Sequence, residues 1–272
     1  MSSSAKVRSL ESAVKSPAPG SQINIDSTSM AVASRTPELV IALCGPIGSP
    51  IHETAQQTLH ALSEFGYQTA TVKLSDLIRI NAADIGIPID NSSKFSEIKT
   101  LIQAGDTLRD RFGHDILAKL AIAKIRGDRQ KEFGEFTDSP DPEPSAPGNS
   151  MATQRICHVI DSIKNDAELA LLRLIYGDLL FAIGVFSPLE VRRRNLERPG
   201  KLTKAEIDLL IDTDSGEEFD HGQSVRETFP RCDYFLRVDY SVAAPDESAA
   251  VSQIVGKMRR FFSLLFRTQV IT

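Results

Sequence analysis

Residues Glu38 to Gly66, ELVIALCGPIGSPIHETAQQTLHALSEFG, change their hydrophobic period once, and that change restricts the chain to few folds. Glu38 to Cys44 is an apolar run of strand length stopped by Gly45, as in a buried strand of a parallel sheet. A glycine turn follows, Gly45-Pro46-Ile47-Gly48-Ser49. Beyond Pro50 the positions Ile51, Ala55, Thr58, Leu59 and Leu62 recur three and four apart, which is the spacing of a helix. Ser49 is expected to cap that helix, Pro50 to suit its first turn and Gly66 to end it. Strand, glycine turn and helix in this order point backbone N–H groups at a phosphate.

A loop that transfers phosphate reads G-x-x-x-x-G-K-[ST], where the second glycine lets the backbone close round the phosphates and the lysine neutralises them. Aligned on Gly45, this chain keeps Gly48 and Ser49 but places Pro50, Ile51 and His52 where glycine, lysine and hydroxyl should stand. The loop therefore lacks its cation, and Pro50 removes an N–H donor. Gly45, Gly48, Ser49 and His52 are the candidate phosphate contacts of a degenerate loop.

Composition sets the outer limits. A chain of 272 residues with 41% hydrophobic content buries one large core, with or without tails. A net charge of −5 and a pI near 5.6 give no strong basic field for nucleic acid. The three cysteines, Cys44, Cys157 and Cys232, are too scattered for a disulfide framework and read as small buried hydrophobes of a reducing cytoplasm. No apolar run is long enough to span a membrane, and MSSSAKVRSL offers no apolar segment for export.

Residues 1–36, rich in Ser, Ala and Pro, read as a flexible tail, and 37–272 as one domain. Within it, Tyr67 to Leu74 reads as a second strand, and Ser75-Asp76 opens a short helix. Residues 81–93 read as a loop. Lys94 to Gln130 reads as mostly helical, with breaks at Gly105 and Gly113. In GDTLRDRFG, residues 105–113, Arg109 either grips a phosphate or, with Arg111, pairs with Asp106 and Asp115 on a solvated face. The acidic stretch 131–152, with its four prolines, reads as an exposed linker.

Arg155 to Ile163 is the next strand, and its Asp161 stands where a phosphate-loop protein presents a carboxylate to Mg²⁺, or where a strand end caps the following helix. Residues 165–177 then form a helix, Asp178 to Phe186 a fourth strand and Cys232 to Val238 a fifth. Between those last two strands, a region 188–231 carries Arg192, Arg193, Arg194 and Arg198, followed by Asp208, Asp212, Asp214, Glu217, Glu218 and Asp220. It reads either as a solvated charged face or as a mobile lid whose arginines close over phosphates. A closing helix, Pro245 to Phe266, is expected to start at an Asp246 cap and to offer Met258, Phe261, Phe262, Leu264 and Leu265 to a partner or a following domain.

The runs Gly45 to Ser49, GDTLRDRFG, VIDSIKN, YGDLLFAIGVFSPLEVRRRNL and GEEFDHGQSV followed by CDYFLRV resemble the nucleoside-monophosphate-kinase branch of the P-loop fold. More narrowly, residues 37–270 are similar to the N-terminal kinase-like domain of the bacterial anti-phage deoxycytidylate deaminases. The resemblance implies a three-layer α/β fold with a mainly parallel sheet and a helical lid. It also implies a partner domain that uses zinc to deplete deoxycytidine nucleotides during phage infection, held in check until then. That zinc chemistry needs H-x-E and P-C-x-x-C. None of His52, His60, His114, His158 and His221 begins an H-x-E, and no two cysteines lie near each other. Zinc is expected only in a deaminase domain beyond Thr272, in a longer or split protein.

Two classes of function follow, with a blander third. The chain is expected to be a nucleotide-sensing regulatory domain that holds a nucleotide, with Mg²⁺ at Asp161, without turning it over; or an active nucleotide kinase; or a scaffold for a protein or RNA inhibitor. A homo-oligomer is expected.

Overall fold

The computed structural model describes residues 38–133, 155–197, 202–216, 225–240 and 247–266. Five strands form one sheet in the order β2-β3-β1-β4-β5, and every pair is parallel. The strands are β1 (Leu39–Cys44), β2 (Gln68–Lys73), β3 (Ile156–Ile163), β4 (Leu180–Phe186) and β5 (Tyr234–Arg237). Every residue of β1 is buried, because β1 is central and both its faces are covered. That is why its sequence is a continuous apolar run.

Parallel neighbours require crossovers, and the helices that make them coat both faces. Leu39, Ile41 and Leu43 pack with Ala55 and Leu62 of α1 (Ile51–Glu64) and with Ile254, Met258 and Phe262 of α9 (Glu247–Leu265). Val40, Ala42 and Cys44 face the other core. There they meet α2 (Leu74–Ala82), α3 (Lys94–Phe112), α4 (Ile116–Phe133), α5 (Asp166–Tyr176) and, through Val225, the short α8 (Val225–Thr228). The result is the three-layer α/β fold with a parallel sheet that the sequence leads one to expect.

Three details correct the sequence reading. Gly105 does not break the helix: α3 runs through it, and a Cβ there would lie 3.2 Å from Ile78 Cδ1. It is a close-packing glycine between α2 and α3. Gly113, at φ 101°, does end the helix. The apolar face of α9 covers its own sheet beside α1, leaving Leu264 exposed while Met258, Phe261 and Phe262 are buried. Helix α4 continues to Phe133, so the first residues of the expected linker are helical. The tail 1–36, the rest of the linker and Asp246 lie outside the described residues.

His158, on β3, is 3% exposed, and neither ring nitrogen has a hydrogen-bond partner among the described residues. Burial pushes its imidazole down to about 4, with Arg129 adding to the effect. The unfolded chain accepts that proton at about 6.5, so the native state binds fewer protons between the two values. Stability from neutral His158 is complete above the upper value and is lost as pH falls toward the lower one. Between about pH 7.5 and about pH 5 this amounts to about 2 kcal/mol. His158→Leu should flatten that part of the pH profile of the urea midpoint, and an unchanged slope would acquit the residue.

Candidate phosphate site at the carboxyl end of the sheet

The chain leaves β1 for β2 on one side of the sheet, while the β3 to β4 connection crosses to the other side of β1. Such a reversal opens a crevice at the carboxyl ends of the strands, the usual ligand position in open α/β sheets. The Gly45 to Pro50 loop leaves β1 there, Lys164 leaves β3, and α6 (Leu189–Glu197) follows β4.

The loop is pressed between neighbours. A Cβ on Gly45 would stand 2.1 Å from the Val185 carbonyl oxygen, so β4 itself demands glycine. Gly48 has φ +79°, and a Cβ there would meet the Arg192 carbonyl oxygen at 2.7 Å. Ser49 N–H donates to the Pro46 carbonyl at 3.1 Å, and Ile51 N–H to that of Ser49 at 2.8 Å. Helix α1 starts after Pro50, with no side chain capping it. Ser49 is therefore not the cap, and its buried hydroxyl has no hydrogen-bond partner among the described residues. An uncapped helix start keeps its N–H groups and positive dipole end toward the loop. At the far end of α1, Gly66 does turn the chain, with its N–H and that of Tyr67 donating back to Ser63 and Leu62.

The missing cation arrives from another strand. Lys164 Nζ donates to the Gly45 carbonyl at 2.8 Å and stands 3.3 Å from Asp214 Oδ1. Sequence reasoning passed over this lysine, because its partner Gly45 is far away in the chain. Arg192 Nε donates to the Ile47 carbonyl at 2.6 Å, and its Nη2 lies 3.6 Å from Asp214 Oδ2. Asn195 donates to the Gly48 carbonyl at 2.8 Å while accepting from the Tyr240 hydroxyl. Asp214, on α7 (Lys204–Gly216), accepts the Ile47 N–H at 2.7 Å. The loop already holds an anion: a carboxylate set among a backbone amide, an ammonium and a guanidinium.

Of the other candidates, Asp161 lies on β3 with Oδ2 3.4 Å from His52 Nδ1. It does not cap α5; Asn165 does, in a capping box with Glu168. One carboxylate, completed by phosphate oxygens and water, is the donor set by which Mg²⁺ is commonly held, so Asp161 fits that role. Arg193 pairs with Asp208 at 2.9 Å on an exposed face and Arg194 with Glu197 at 3.4 Å in a half-buried one, so among the described residues Arg192 is the arginine of that run that hydrogen-bonds to the loop. Arg198 lies outside the described residues.

Arg109 departs furthest from expectation. It is 1% exposed and gives Nε and Nη2 to Glu168 Oε1 at 3.0 and 2.8 Å and Nη1 to Asp106 at 3.1 Å. Its donors are spent inside the core and do not grip a phosphate. The Asp106 pairing was legible, whereas Asp115 pairs with Lys119 and not Arg111. Burial pushes the Asp106 carboxyl up to about 6, against the pull of Arg109. The second oxygen of Glu168 accepts the backbone N–H of Lys164 at 2.8 Å and of Asn165 at 3.1 Å. Arg109 thus fixes Glu168, which fixes the segment that aims Lys164.

Among the described residues no three His, Cys, Asp or Glu side chains are grouped to hold a metal ion, and no helix is long and apolar enough to cross a membrane. No family model and no curated protein matches the chain. Its structure is similar to a gluconokinase from Sinorhizobium meliloti 1021, at 14% identity and TM-score 0.37, over 86% of this chain and 99% of that one. It is also similar to shikimate kinase from Acinetobacter baumannii in complex with shikimate, at 9% identity and TM-score 0.41, over 86% and 96%. A third is the Mycobacterium tuberculosis APS kinase in complex with AMPPNP and APS, at 15% identity and TM-score 0.41, over 84% and 98%. None of the site's chemistry rests on these likenesses.

Proposed function

We propose that this chain is a nucleotide-holding regulatory domain, binding a nucleotide through its phosphates at the Gly45 to Pro50 loop without transferring one. The observation that carries the reading is the anion already held there by Ile47 N–H, Lys164 and Arg192. Those donors bind phosphate by the same physics. Position 51, where a transferring loop has its lysine, is a buried isoleucine packed into the core with α9. A lysine placed there would point into apolar surroundings and not at the phosphates. Lys164 supplies static charge from a different strand, fastened to the loop backbone. That suits holding a phosphate more than following one as it moves. Mg²⁺ carried by the nucleotide would rest on Asp161 and neutralise phosphate charge.

The resemblance of VIDSIKN and SPLEVRRRNL extends the reading: the domain serves an anti-phage deoxycytidylate deaminase, whose zinc site lies in a separate domain. The test is thermal and urea stability against ribo- and deoxynucleotides with and without Mg²⁺. A ligand that binds only the native state stabilises it by about 2.7 kcal/mol at a hundredfold excess over Kd. Selective stabilisation by a deoxycytidine phosphate, with the nucleoside weaker, is expected. Stabilisation by no nucleotide would remove the reading.

A further inference from the structure

We infer that Asp214 is a resident anion of the phosphate site, a carboxylate that a ligand phosphate must displace, so that binding moves α7. The inference rests on the reading that the loop binds nucleotide phosphates, and it assigns that site its regulation.

Asp214 is the third residue from the end of α7 and its side chain is 3% exposed. Its two oxygens divide the local donors between them. Oδ2 accepts the Ile47 N–H at 2.7 Å and faces Arg192 at 3.6 Å, while Oδ1 faces Lys164 at 3.3 Å. These are donors a phosphate would use, and a carboxylate and a phosphate cannot share them without two anions meeting in a dry site. Entry of the phosphate therefore requires exit of the carboxylate.

The element that bears it is built to move as a unit. Helix α7 carries its own start, with Thr203 and Glu206 capping each other's backbone N–H groups. Its Ile207, Leu210 and Ile211 are buried, and it packs against α6. Helix α6 in turn rests on the loop through Arg192 and Asn195. Expelling Asp214 releases one end of α7 while α6 stays clamped to the loop through Arg192 and Asn195. The occupied and empty states then differ in where α7 lies, which is what a partner domain needs in order to read the ligand.

The experiment compares wild type, Asp214→Asn and the control Asp208→Asn in calorimetric titrations with tripolyphosphate and with deoxycytidine triphosphate. Asparagine keeps the shape and removes the charge. Loss of the internal competitor should tighten both ligands by about tenfold or more, and Asp208→Asn, whose partner is Arg193, should leave both unchanged. Hydrogen exchange on wild type gives a reading independent of the variant: ligand should slow exchange at 45–52 and speed it at 204–216. Equal or weaker binding by Asp214→Asn, or slower exchange of α7 with ligand, overturns the inference and leaves the nucleotide reading in place. Failure of wild type and variant alike to bind either ligand overturns both.

Discussion

Lys164→Met is expected to weaken binding of a deoxynucleoside triphosphate by about a hundredfold while leaving the nucleoside's affinity close to wild type. The ammonium makes charge-assisted contacts within reach of the loop, each worth about 1.5–3 kcal/mol, and each tenfold in affinity is about 1.4 kcal/mol. No second lysine lies in the loop to take its place. The variant also loses the bond to the Gly45 carbonyl, which loosens the loop. The nucleoside titration controls for that, because a merely disordered loop would weaken both ligands alike. Equal losses for nucleoside and triphosphate, or none, would remove Lys164 from the site.

The second large effect is on stability. Arg109→Met should cost about 3–5 kcal/mol in urea unfolding, because it leaves the Glu168 carboxylate buried without its cation. Arg109 and Glu168 are both essentially inaccessible, so solvent does little to screen the charge left behind. Asp106 keeps an edge in water and offers no compensation, since it is an anion too. A change of under about 1 kcal/mol would show that the pair is dispensable to the fold. In the folded fraction the same variant should weaken triphosphate binding, because the Lys164 segment loses its anchor, and Arg109→Lys should restore little without the guanidinium fork.

What the sequence shows and what it hides divides along contact distance. The period change at Gly45, the glycine turn that follows it, the helix end at Gly66 and the fully covered β1 were all legible, since each is decided by residues a few positions apart. Gly105 was misjudged because its reason is Ile78 on another helix. Arg109 was half legible: its partner Asp106 is one turn away, but Glu168, which decides its burial, is 59 residues on. Lys164 reaches the loop across 119 residues, and nothing local distinguishes it from a surface lysine before a helix. Asp214 sits in an acidic run that reads as a solvated face, and only the placement of α7 puts its carboxylate on the Ile47 amide. The apolar stripe of α9 was visible as a stripe. That it would share with α1 the face of the sheet bearing Leu39, Ile41 and Leu43 is decided by contacts far along the chain.

A loop that holds a nucleotide without transferring its phosphate should return that nucleotide intact. The direct measurement incubates protein in excess over deoxycytidine triphosphate labelled at the γ-phosphate, with Mg²⁺, then collects the protein on a filter and resolves the retained label by chromatography. Label should be retained as unchanged triphosphate in wild type and lost from the filter with Lys164→Met. Label that never stays with the wild-type protein, or that appears as inorganic phosphate or on an acceptor, would contradict that expectation.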